Sequence, residues 1–284
     1  MLGVQQMAFK REIELIVGQG DVGLEIAKLD IDFDISRSTT QANNTATFTV
    51  YNAKESTRTE ILKKDSNIRF KAGYADEGNI GIIFFGTVDK VNSKKQGVDW
   101  ITTIQAKDIS SNQEGLANRS FNFSYKKGSN LSQVINDLAG ILSIPVAGVE
   151  NANIKLNNGF VFVGTLNNLI RKINKTLQVD ETQLYFDSNE MVIFKQGGKS
   201  SKFGVTRITP SSGLIGTVEK VNNENEDDTR ARVNMTVLMN PKLRPNGLIN
   251  VSSSGLNGSY ILEKVRFYGN NYGGDFLVDL EAVE

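Results

Sequence analysis

Apolar and polar residues alternate with a period of two through most of this chain, as they do in strands with one buried face. The segment 232–284 carries the pattern most plainly. Val233, Met235, Val237 and Met239 alternate with Asn234, Thr236 and Leu238, and Pro241 and the turn Pro245-Asn246-Gly247 end the run. A second strand is predicted over 248–252 and a third over 260–268, where Ile261, Val265 and Phe267 share a face. After the loop Gly269-Asn270-Asn271-Tyr272-Gly273-Gly274, Phe276, Val278, Leu280 and Ala282 point one way while Asp279 and Glu281 point the other. Four strands joined by short turns predict a meander that curls into a small barrel and must close or pair its edges.

Residues 9–108 follow the same period around one helix. Leu29, Ile31, Phe33 and Ile35 share one face of a strand, and Asp30, Asp32 and Asp34 share the other. Ala46, Phe48 and Val50 oppose Thr45, Thr47, Thr49 and Tyr51, and Asn52 is the expected N-cap of a helix over 53–64. Further strands are predicted over 11–17, 68–72, 80–91 and 100–106. Between 121 and 194 the period lengthens. Ser129 is expected to cap a helix bearing Leu131, Val134, Ile135, Leu138 and Ile141, which Pro145 ends. Thr165 caps a second with Leu166, Leu169, Ile170, Ile173 and Leu177, and a hairpin turns at Asp187-Ser188-Asn189-Glu190. The composition of 196–202 marks a linker, and 222–228 is a polar run. The expected architecture is mainly β with an α+β insertion. A tube-like β-barrel domain with one helix spans 1–112, an α+β domain spans 113–196, and a second barrel spans 197–284.

At 284 residues the chain has room for two or three such units. Its 32 Lys and Arg balance 32 Asp and Glu, against a general polyanion-binding surface. It has no cysteine and no histidine. Disulfides, thiolate nucleophiles and a Ser-His-Asp hydrolase are thereby excluded, as are a zinc enzyme and a His-dependent nuclease. The start of the chain lacks the pattern of a signal peptide, and no apolar run approaches the ~18 residues of a membrane span. Synthesis in a cytoplasm is expected. No catalytic residue, cofactor or metal is expected either.

Two motifs invite chemistry and fail on their context. Gly18-Gln19-Gly20-Asp21-Val22-Gly23 spells a dinucleotide fingerprint. Such a site needs a following helix and a parallel strand, and too few residues separate Gly23 from the strand at Leu29, so a glycine-rich hairpin turn is predicted. Asp30-Ile31-Asp32-Phe33-Asp34 has the spacing of half a calcium loop, but Ile35 and Gln41 stand where that loop needs glycine and glutamate. Among the aromatics, Trp100, Phe84 and Phe85 are expected in the core. Tyr272, at a glycine-rich loop tip, is the candidate contact residue.

Thr39-Thr40, Ala46-Thr47-Phe48-Thr49-Val50-Tyr51-Asn52, Asp65-Ser66-Asn67-Ile68-Arg69-Phe70-Lys71-Ala72-Gly73-Tyr74 and Phe85-Gly86-Thr87-Val88 together resemble the first barrel of phage tail and baseplate hub proteins. Gly213-Leu214-Ile215-Gly216 and Gly258-Ser259-Tyr260-Ile261-Leu262-Glu263-Lys264-Val265 are similar to the closing barrel of that family. The resemblance implies a homotrimer whose two barrels per chain make a pseudo-sixfold ring in the virion. That ring joins tail tube to spike and leaves a channel for DNA. Tube protein, spike or tip protein and other baseplate proteins are the implied partners, and the spike and any peptidoglycan cleavage are left to them.

Within that expectation Asp30, Asp32 and Asp34 are candidate channel-lining residues. Like charges at alternate positions repel unless water or cations screen them, and an anionic wall would keep DNA from sticking. Period-two patterning does not distinguish a lumen from an outer solvated face. A host-surface or carbohydrate-binding β protein, with Tyr272 at its contact loop, is the alternative of a different class. A hydrolase built on carboxylates is a third.

Overall fold

The alternating segments become strands. In the computed structural model, residues 10–19, 22–26, 28–39, 44–61, 66–108, 120–147, 154–178, 182–188, 190–195, 203–221 and 230–284 are described. The chain opens with β1 (Arg11–Gln19), β2 (Val22–Ile26), β3 (Ile31–Ser38), β4 (Thr45–Tyr51), α1 (Glu55–Ile61), β5 (Asn67–Tyr74), β6 (Asn79–Gln96) and β7 (Asp99–Lys107). It continues through β8 (Phe121–Tyr125), α2 (Leu131–Leu142), β9 (Val146–Ala147), β10 (Phe160–Gly164), α3 (Leu166–Leu177), β11 (Thr182–Asp187) and β12 (Glu190–Lys195). The last part holds β13 (Val205–Ile208), β14 (Leu214–Val221), β15 (Arg232–Leu238), β16 (Leu248–Ser252), β17 (Asn257–Asn270) and β18 (Phe276–Val283). The predicted linker 196–202 and the polar run 222–228 lie outside the described residues.

One 13-stranded sheet takes strands from both β-rich regions, in the order β14-β15-β18-β17-β3-β4-β7-β6-β5-β1-β2, with β16 on β17 and β13 on β16. Two long strands make this possible by changing partners along their length. β17 pairs β16 over Asn257–Ile261 and β3 over Lys264–Asn270, while β18 runs along its other side. β6 pairs β5 through Thr87 and β7 from Thr87 onward. At that crossing Gly86 is required, because a Cβ there would stand 2.2 Å from the carbonyl oxygen of Lys107. The two separate barrels expected from the sequence are therefore not found closed within the chain. Its halves share β3–β17 pairing and one core, and β2 and β14 remain at open ends.

Phenylalanines hold the curled sheet together. Phe70 lies 4.9 Å, centroid to centroid, from both Phe33 and Phe48, and Phe33 meets Phe276 edge-on at 5.8 Å. All four are at most 3% exposed.

Several local expectations are corrected. The last four strands are not a simple meander: β15 pairs β18, because the turns around Pro241 and Pro245 carry the chain past its neighbour before β16 begins. The glycine fingerprint, by contrast, behaves as expected: its flanking strands β1 and β2 pair antiparallel, with Gln19 opposite Val22. Asn52 does not cap α1. It sits at φ 55° and its side chain accepts from Trp100 N and donates to Asp99, tying β4 to β7. Ser129 gives way to Asn130 at the start of α2, and neither Asn130 nor Thr165 makes a side-chain cap bond. Phe84 is core as expected, whereas Phe85 and Trp100 are only half-buried, the Arg58 guanidinium lying 3.9 Å above the Trp100 ring. Ile141 is exposed.

The helices α2 and α3 bury Leu131, Val134, Ile135, Leu138, Leu166, Leu169, Ile173 and Leu177 against Phe121, Phe123, Phe160 and Phe162. Two small sheets border them: antiparallel β8–β10, and β11–β12 with β9 parallel to β12. A buried ionic junction ties this segment to the large sheet. Asp187, at the β11–β12 turn and 0% exposed, receives Arg37 from β3 at 2.6 Å and Arg244 at 2.7 Å. Arg244 also reaches Glu190 at 3.0 Å. Asn44 donates to Phe186 O and Asp187, and its backbone N–H donates to Asp108.

Candidate functional site

With the even-numbered or odd-numbered residues of each strand committed to the core, their neighbours must form a second, outward face. In β3, Ile31, Phe33 and Ile35 are buried, so Asp32, Asp34 and Ser36 point out. The antiparallel registers align this set with its neighbours. Asp34 stands opposite Thr47 on β4 and Tyr268 on β17, and Asp32 opposite Thr49 and Asn270. Arg266 stands opposite Asp279 on β18, Asp279 opposite Thr236 on β15, and Thr47 opposite Gln105 on β7. Gln105 in turn pairs with Lys90 on β6. A largely polar face thus spans eight strands, from β6 to β14, where Glu219 stands opposite Asn234 and the exposed Ile215 opposite Thr236.

The three candidate aspartates share this face, and each has a partner. Asp34 takes both Nε and Nη2 of Arg266, at 3.0 and 2.7 Å, and the same guanidinium lies 3.7 Å from Asp279. That hydrogen bond is the main reason why the Arg266 pKa is raised. Asp30 and Asp32 both accept from Asn270 Nδ2, and Asp32 also accepts from the Tyr51 hydroxyl at 2.7 Å. This bond, aided by burial and the charges of Asp32 and Asp30, pushes the Tyr51 pKa up to about 12. The repulsion expected along the aspartate row is therefore relieved by Arg266, Asn270 and Tyr51 as well as by solvent.

Tyr272 follows Asn270 in the loop between β17 and β18. Its ring is 67% exposed, its hydroxyl donates to Lys28 O, and its N–H donates to Asn270 Oδ1. Arg11 clamps the loop from β1 by donating to the carbonyls of Asn270, Gly274 and Asp275. Asn270 thus brings Tyr272 beside Asp30 and Asp32, while Asp34 belongs to the Arg266 cluster. Sequence reasoning missed Arg266, Asn270 and Tyr51. The parity of Tyr51 and Arg266 was readable, but the β3–β17 pairing that gives them their partners was not.

At the β14 end, the register slips between Ile215 and Glu219 against β15. Next to this bulge lies an open cleft of about 540 Å³, where Glu219, Asn234, Thr236, Asp279 and Glu281 line the polar side. Among the described residues no group of three or more His, Cys, Asp or Glu side chains is arranged to hold a metal ion. No described helix is long and apolar enough to cross a membrane.

A broad wall of strands with one apolar and one polar face defines a structural β protein, built to present surface. The chain belongs to the baseplate hub gp41 family, whose model matches residues 12–282. It is accordingly a structural component of the phage tail and baseplate. Comparison with curated protein sequences gives no match. Solved structures extend the likeness at the level of fold. The 43 kDa tail protein of prophage MuSo2 from Shewanella oneidensis superposes with a TM-score of 0.68 at 11% identity, covering 96% of this chain and 97% of that one. A tail protein from Neisseria meningitidis gives 0.65 at 10% identity, covering 96% of each chain. A type VI secretion system component of E. coli gives 0.61 at 7% identity, covering 98% and 75%.

Proposed function

We propose that this chain is the tail hub itself: three copies form a pseudo-sixfold ring that joins the tail tube to the spike and leaves a channel for DNA. The observation that carries this reading is the largely polar face that spans eight neighbouring strands and both halves of the chain. All seven neighbouring pairs in that run are antiparallel. The first and last strands therefore point in opposite directions, and a rotated copy can continue the sheet in antiparallel pairing. Open edges at β14 and at the β6 arm are hazards in a lone chain and become joints in a closed ring.

In this assembly 1–112 and 197–284 act as two tube-like modules per chain, closed by their neighbours, with 113–196 as an α+β unit beside them. Asp30, Asp32 and Asp34 face the lumen among threonines and paired charges. Tyr272 meets an adjoining tail protein. The protein is made in the host cytoplasm and works in the virion, by geometry and without catalysis, and DNA is a passenger only. Electron microscopy of the particle tests this: three copies in one ring are expected, and one copy or six would overturn it. Binding to glycan arrays that is lost with Tyr272→Ala would favour a host-surface protein.

A further inference from the structure

The two ends of the eight-strand run carry opposite, unmatched charges. At the β14 end Glu219 borders the bulge cleft, and its exposed carboxylate makes no hydrogen bond or ion pair with any described residue, whereas Asp279 and Glu281 beside it are taken by Arg266 and Lys264. At the other end β6 runs on past β5 as an arm paired only to β7. Lys90 and Lys94 project from that arm on the same polar face, since Lys90 opposes Gln105 and Lys94 opposes Ile101. Both are exposed, and neither has a partner among the described residues.

Within one chain these groups cannot meet along the sheet. Seven inter-strand steps separate β14 from β6, roughly 34 Å at the usual spacing. A strand added to the open edge of β14 would lie only one step away, about 4.8 Å, within the span of a lysine side chain.

We infer that the acidic cleft beside β14 receives Lys90 and Lys94 from the β6 arm of a second copy of this chain. This rests on the ring proposed above and adds to it which side chains select the neighbour and fix its direction. The bulge at Gly216–Val218 removes side-chain and backbone packing where an incoming lysine must cross β14, and Asp279 and Glu281 extend the negative field behind Glu219. Charge complementarity between opposite ends favours head-to-tail contacts over head-to-head ones, in which like charges would face each other.

Charge reversal tests the contact. Glu219→Lys alone, and Lys90→Glu with Lys94→Glu, are each expected to weaken self-association about tenfold in sedimentation equilibrium at low salt. Combining all three should restore it to within about threefold of the wild type. Unchanged association in either reversal, or no recovery in the combination, would overturn the inference. If the purified chain stays monomeric, the absence of native cysteine permits a second measurement. Particles carrying Lys94→Cys and Glu219→Cys should yield chain-to-chain disulfides on mild oxidation. A three-copy ring without that cross-link removes this contact and keeps the ring, whereas a ring of one or six copies removes both.

Discussion

Arg37 and Asp187, 150 residues apart in sequence, form a buried pair in which the arginine Nη2 lies 2.6 and 2.7 Å from the two carboxylate oxygens. Their side chains are 4% and 0% exposed. The pair joins β3 of the large sheet to the β11–β12 turn of the helical segment, and Arg244 closes it from the carboxyl-terminal part. A single carboxylate is thus gripped by arginines from both ends of the chain.

Removing that carboxylate leaves the Arg37 guanidinium facing a dry interior, and leaves Arg244 with Glu190 alone. Asp187→Ala is expected to lower the unfolding free energy by about 3–5 kcal/mol in urea denaturation. Replacing Arg37 and Asp187 together with apolar residues of similar size should cost much less. Equal losses for the single and paired changes would show that the ion pair itself, and not the stranded charge, sets the penalty.

Asp108 lies beside this junction, 1% exposed, with Oδ2 making no hydrogen bond. Burial, and then the charge of Asp187, raise its pKa well above the ordinary aspartate value, against the opposing pull of Asn44 and Arg37. A raised folded-state pKa means that ionised Asp108 costs stability above that pKa, and the cost disappears as pH falls towards the unfolded-state value. Asp108→Asn should therefore stabilise the protein by about 1–3 kcal/mol at neutral pH, with the gain shrinking on acidification. Unfolding midpoints followed from pH 7 to pH 4 check both the sign and the window.

The proposed lumen has its own consequence. Changing Asp30, Asp32 and Asp34 to Asn keeps acceptors for Tyr51 and Asn270 and removes the charge. DNA ejection from such particles should slow, more at low salt, because Arg266, having lost the Asp34 carboxylate, then attracts the phosphate backbone. Equal ejection rates in low and high salt would count against it, and a ring with these residues on its outer wall would end it.

Tyr51 reports on the same face from the neighbouring strand β4. Its phenol, held near pKa 12 chiefly by donating to Asp32, should titrate closer to the ordinary tyrosine value in Asp32→Asn. The Tyr51 ring carbon shifts in NMR follow that change directly.

Much of this architecture is written in local parity. Phe33 and Ile35 against Asp32 and Asp34, or Ala46 and Phe48 against Thr47 and Thr49, assign both faces without a structure. What parity cannot carry is pairing at a distance. Arg266 and Asp34 are separated by 232 residues, and nothing near either one announces the other. Arg37 is harder still, since it follows Ile35 onto the buried side, where a charge is expected only if a partner is already known. Asn52 misled for a related reason. Its residue type suits a helix cap, but the nearby β7 backbone offered its side chain better partners.

The shared edge of β17 has a mechanical meaning. Because β16 and β3 lie end to end on one side of it and β18 runs along the other, a pull on either half of the chain loads several backbone hydrogen bonds in parallel. Strands sheared lengthwise give way only when those bonds break together, unlike strands peeled apart one bond at a time. In the proposed ring, a genome passing along such a wall would meet one stiff sheet instead of two hinged halves.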